Sequence, residues 1–186
     1  TLYGPLTPQA PMPLNMPVSP KAALVASAMV VGLLPADLDG ARTARKGRTM
    51  KKLDVTSPAV GTDGRIDPRF TCDGEDVSPA LSWSGVPEGT VAFAVTMDDP
   101  DAPAGTWIHW VLFDIPGTAR GLKEGLPKTA SLPDGSRHGA CWGVTSFSRT
   151  GYYGPCPPPG KPHRYRFRVY ALDRLLKLPS GATMAQ

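Results

Sequence analysis

The sequence predicts a mainly all-β fold with few short helices. Three observations predict it. From Leu53 onward, short alternating apolar runs are separated by turn residues, a strand pattern. Pro at 22 and Gly at 20 of 186 residues exceed ordinary usage and favour short strands and ordered loops. After Leu53 no window sustains a helical period for three turns.

Residues 1–52 read as a leader. Pro5, Pro8, Pro11, Pro13, Pro17 and Pro20 make the first stretch disordered or polyproline-like. Ala22 to Leu34 is a 13-residue apolar block whose length suits the centre of a secretory signal. The alternative is that Met50 is a natural start and the preceding residues lie upstream of it. The first alternative implies a periplasmic or secreted protein, the second a cytoplasmic one. No apolar run reaches the eighteen or so residues of a membrane span.

Charge divides at the same boundary. Residues 1–52 hold seven basic and two acidic residues, and residues 53–186 hold 13 and 14. The basicity belongs to the leader, so no nucleic-acid footprint is expected on the folded part. Cys72, Cys141 and Cys156 have no CxxC spacing, which argues against a zinc knuckle. An odd count leaves at least one thiol free or paired between chains, and one internal disulfide remains open.

The strands follow in order. Val91–Met97 is apolar on both faces and is expected to be covered on both sides. In Trp107–Ile115, a period of two sets Trp107, His109, Val111, Phe113 and Ile115 together. In His163–Ala171, His163, Tyr165, Phe167, Val169 and Ala171 face inward, and Arg164, Arg166 and Arg168 form a solvated outer ladder. Residues 116–162 read as ordered loops too long for a simple connector. His138 lies in a polar loop and is expected to be exposed.

Polar groups converge at the strand ends. Asp98, Asp99 and Asp101 end the first strand, and Trp107 and His109 open the second. A short connection makes the pair antiparallel and these ends neighbours. His163 joins them if its strand runs beside the second in the same direction. The loop before it, Gly151 to Gly160, carries Gly154 and Pro155; glycine there leaves backbone N–H groups free and proline stiffens the loop. Two imidazoles, a Tyr165 hydroxyl and backbone N–H groups suit an anion, phosphate above all. A neighbouring Asp orients an imidazole and raises its pKa, and Trp107 supplies an apolar wall.

Three segments carry a resemblance: FTCDGEDVSPALSW (70–83), MDDPDAPAGTWIHWVLFDIP (97–116) and GYYGPCPPPGKPHRYRFRVYALD (151–173). Together they resemble the phosphatidylethanolamine-binding protein family, or Raf kinase inhibitor-like family, in its compact bacterial and archaeal form. The resemblance runs from about Leu53 to the C-terminus. It implies a Greek-key β-sandwich with an anion pocket at one end. Asp99, Trp107, His109, Gly154, Pro155, His163 and Tyr165 match the family's pocket positions, and Asp101 lies beside them. It implies phosphate-bearing head groups or phosphorylated residues as ligands, and a kinase or a protease as a possible protein partner. Members of this form continue into a helix and a last strand, so the domain, 53–186, is expected to be C-terminally incomplete. Trp142 and Phe147 replace a more polar stretch and are expected to alter the pocket rim.

The expected function is therefore non-enzymatic binding of a phosphate-bearing ligand, with no cofactor and no metal. The alternative is a serine protease inhibitor acting through an exposed loop in 116–162. A metal enzyme using His109, His163 and Asp99 is a third reading, as is a hydrolase using Ser78, although no GxSxG occurs.

Overall fold

The computed structural model describes residues 22–24 and 52–186. The remaining leader, including most of the apolar block, lies outside the described residues. The strands are β1 (Ala22–Leu24), β2 (Asp54–Thr56), β3 (Leu81–Ser84), β4 (Ala92–Asp99), β5 (Trp107–Pro116), β6 (Gly121–Leu122), β7 (Arg137–His138), β8 (Ala140–Cys141), β9 (Arg149–Thr150) and β10 (His163–Leu172). One 3-10 turn, Pro68–Phe70, begins where the Asp67 side chain accepts the Arg69 N–H. The main sheet has the order β1-β10-β4-β5-β7, and a second sheet has the order β2-β3-β6.

Burial explains the layering. In β3, Leu81 and Trp83 are buried while Ser82 and Ser84 are exposed, so one face of the small sheet turns inward. That face meets Phe93, Val95 and Met97 of β4, Trp110, Leu112 and Ile115 of β5, and Tyr165, Phe167 and Val169 of β10. The Trp83 and Phe93 rings lie 5.1 Å apart across the layers. Ile108, Val111, Phe113, Cys141 and Ala182 form a second cluster. The expected two-sided covering of β4 is met: seven of its eight residues are buried.

β4 and β5 pair antiparallel, with Asp99 opposite Trp107, as the short Asp-rich bend requires. The period-two reading of β5 is corrected. Met97 opposes Trp110 while Asp98 opposes Ile108, which makes His109 the extra residue of a bulge. A second irregularity falls between the Val95–Leu112 and Phe93–Ile115 pairs, where Asp114 takes φ +57°. Its carboxylate accepts the Leu176 and Lys177 N–H groups at 2.7 and 3.2 Å, which offsets the cost of that conformation. Between them these shifts send Trp110, Leu112 and Ile115 to the inter-sheet core and Val111 and Phe113 to the other cluster.

β10 pairs with β4 rather than β5. It still runs parallel to β5, because both are antiparallel to the strand between them. The solvated arginine ladder holds for Arg164, which is exposed, and is corrected for Arg166 and Arg168, which are half-buried. Arg166 and Arg168 both bind the carboxylate of Asp98, which is 1% exposed, and Arg164 clamps Asp101. His138 is buried, not exposed: it pairs with Leu112 on the sheet edge and its Nδ1 donates to the Thr129 carbonyl at 2.7 Å.

Candidate functional site

Asp99 ends β4 and is the hub of a buried cluster. Its Oδ2 accepts from His163 Nδ1 at 2.7 Å, and its Oδ1 accepts the Asp101 backbone N–H at 2.8 Å. A carboxylate facing Nδ1 fixes that imidazole's tautomer, with the hydrogen on Nδ1. His109 is fixed in the same way by a different acceptor: its Nδ1 donates to the Tyr153 carbonyl at 2.7 Å. The His109 ring stands edge-on to the Tyr165 ring, with centroids 5.3 Å apart. The Tyr165 hydroxyl is buried beside the Asp99 carboxylate. Asp99, His109, His163 and Tyr165 are thus brought together, and β4, β5 and β10 each supply part of the set.

The electrostatics differ from the expectation that the carboxylate dominates. Burial lowers the His109 pKa, against the raising effects of the Tyr153 carbonyl and the Asp99 charge. Burial, reinforced by Asp99, raises the Tyr165 pKa well above its ordinary value, so the phenol stays a donor. Arg164 holds the Asp101 carboxyl well below the usual range. Both Asp101 oxygens bind Arg164, and Oδ2 also accepts the Arg164 backbone N–H. Asp101 therefore ties the bend to the start of β10 and holds His163 in place.

The Gly154-Pro155 loop is present, but glycine acts there in another way than its free N–H suggested. The Gly154 N–H donates to Asp76 Oδ1 at 2.6 Å. A Cβ on Gly154 would overlap the Phe70 carbonyl and come within 2.9 Å of the Thr71 Cα. Glycine is needed there for close packing of loop on loop. The same two loops are joined by Tyr152 Oη to the Phe70 carbonyl at 2.7 Å, by Cys72 N–H to the Pro155 carbonyl at 3.0 Å, and by the Cys72–Cys156 disulfide. Asp76 went unassigned in the sequence. Its signal lay in the FTCDGEDVSP run, a density of turn residues no plain turn needs.

The rim is aromatic and cationic. Trp107, half-buried, lies 5.9 Å from Trp142, and Trp142 lies 5.4 Å from the His109 ring, both edge-on. Arg149 stacks over Trp142 and Tyr153 at 4.7 and 4.5 Å, and Lys128 over Tyr153 at 4.1 Å. The expected influence of Trp142 on the rim is thus direct.

An all-β protein with a His/Asp/Tyr cluster at one end of its main sheet is the class that fold and site define. The family model for phosphatidylethanolamine-binding protein matches residues 56–186, and the chain belongs to that family. A UPF0098 protein of Methanothermobacter thermautotrophicus is 48% identical over 131 residues, covering 70% of this chain and 83% of that one. A UPF0098 protein of Aquifex aeolicus is 47% identical over 133 residues, covering 70% and 75%. The crystal structure of Escherichia coli YbcL, described as a new member of the mammalian PEBP family, aligns with a TM-score of 0.63 at 37% identity, covering 72% of this chain and 85% of that one. Membership supports a ligand-binding role in general terms.

Proposed function

We propose that the protein binds phosphate-bearing ligands at the Asp99–His109–His163–Tyr165 cluster without transforming them. One observation carries this reading. Each imidazole directs Nδ1 to a protein acceptor, His109 to Tyr153 and His163 to Asp99, which leaves Nε2 for a ligand. An imidazole that carries hydrogen on Nε2 donates to a phosphate oxygen. A phosphorylated residue of a kinase or another protein partner would meet the same donors.

Several features support binding over catalysis. The buried Cys141 thiol is pushed up to about 12 by desolvation, so it is no nucleophile at neutral pH. Ser78 is 1% exposed and its Oγ accepts the Leu126 N–H at 2.9 Å.

No helix among the described residues is long and apolar enough to cross a membrane. The exposed Cys72–Cys156 disulfide favours an oxidising compartment, and so the periplasmic or secreted reading over the cytoplasmic one.

The test is a titration with inorganic phosphate and phosphoethanolamine, read by imidazole NMR signals. His109 and His163 signals should both shift, and His109→Ala and His163→Ala should each weaken binding at least tenfold, the loss of one charge-assisted hydrogen bond. Silence of both rings at saturating ligand would end this reading.

A further inference from the structure

We infer that Arg149 is a second anion contact beside the histidine cluster, and that the site prefers a phosphate carrying a neighbouring carboxylate over a zwitterionic amine head group. This rests on the reading above and sharpens it to a ligand class.

The argument starts from the aromatic rim. An ammonium head group such as ethanolamine or choline is ordinarily held over aromatic faces. One face of Trp142 and at least one of Tyr153 carry the protein's own cations. Arg149 lies over both rings, at 4.7 and 4.5 Å, and Lys128 covers Tyr153 at 4.1 Å. A ligand ammonium would meet like charge there.

The two cations are not equivalent. Lys128 is paired with Asp76 at 2.6 Å. Arg149 has no carboxylate or carbonyl partner among the described residues, and its residue is exposed. Its guanidinium is nonetheless oriented, because stacking on two rings limits its freedom. A planar fork with free donors is suited to a carboxylate or a second phosphate oxygen pair.

Position links this cation to the cluster. Tyr153 supplies the carbonyl that orients His109, and Trp142 touches the His109 ring. Arg149 is therefore one ring contact removed from the imidazole proposed to hold the phosphate. O-phosphoserine presents a phosphate and a carboxylate on one small molecule. It differs from phosphoethanolamine by that carboxylate alone.

The experiment is calorimetric titration of the full chain and of Arg149→Gln with inorganic phosphate, phosphoethanolamine, O-phosphoserine and glycerophosphoserine. The native chain should bind O-phosphoserine about tenfold more tightly than phosphoethanolamine, the gain of one charge-assisted pair. In Arg149→Gln that preference should fall below about twofold, with O-phosphoserine losing more affinity than inorganic phosphate does. Glycerophosphoserine separates two sources of the same chemistry: strong binding assigns a lipid head group, weak binding a free phosphomonoester, and either supports the second contact. Equal affinity for O-phosphoserine and phosphoethanolamine in the native chain overturns it, as does a preference that survives in Arg149→Gln. Absence of any inorganic phosphate binding removes the histidine cluster as a site, and this inference with it.

Discussion

Asp76 and Gly154 are joined by a 2.6 Å hydrogen bond across 78 residues of sequence, and that bond anchors the loop beside the histidines. Asp76 adopts φ +53°, a conformation Asp tolerates better than most residues. Asp76→Ala would lose the acceptor and add backbone strain. It should cost about 2–3 kcal/mol in urea unfolding, from an unsatisfied loop amide and the left-handed geometry. Asp76→Asn, which keeps an acceptor and tolerates that φ, should cost less. Phosphate affinity should fall with loop order. An Asp76→Ala chain with native midpoint and native affinity would show that the loop is held by other means.

A second prediction concerns Asp98, buried with Arg166 at 2.7 Å and Arg168 at 2.9 Å. Removing the acid leaves two cations facing a desolvated space. Asp98→Ala should destabilise by about 3–5 kcal/mol. Arg168→Ala should cost less, because Arg166 still neutralises the carboxylate. Denaturant midpoints of the two variants check the order.

The disulfide supplies a third. Cys72 and Cys156 are both exposed and close a loop with a sequence separation of 84. Chain entropy sets its stabilisation at about 4–5 kcal/mol at most. A reductant should lower the urea midpoint markedly yet leave the protein folded, since the Tyr152–Phe70 and Cys72–Pro155 hydrogen bonds persist. Circular dichroism with and without reductant decides it. An unchanged midpoint would show that the cross-link constrains little.

What the sequence made legible was local. Asp99, Trp107 and His109 could be placed together because one short bend forces antiparallel pairing, which sets the end of β4 beside the start of β5. His163 could be added only conditionally, since nothing in the chain says which strand β10 joins. The faces of β5 were misread because a bulge residue such as His109 carries no compositional mark, and each bulge inverts the alternation beyond it. Arg166 and Arg168 looked fully solvated because their partner, Asp98, lies over sixty residues away. Asp76 was missed for the same reason: its role exists only once Gly154 arrives.

The last prediction sets two pH dependences against each other. His109 and His138 are both buried, and desolvation lowers both pKa values below the ordinary 6.5. Their unfolded forms therefore bind protons before the folded forms do. Stability from these groups is complete above about pH 6.5 and declines as pH falls toward the folded values, because the unfolded state then holds more protons. Anion binding has the opposite sign. With Nδ1 of His109 donating to Tyr153, Nε2 can donate to an anion only after taking up a proton. A bound anion favours that charged form, so affinity should rise as pH falls from about 8 to 6. Sulfate is the cleaner probe, since its charge is constant over this range. Urea midpoints with and without sulfate should diverge as the medium acidifies, the sulfate curve lying higher, and His109→Gln should narrow the gap. Sulfate affinity that instead rises with pH would mean that the ring meets its ligand as an acceptor.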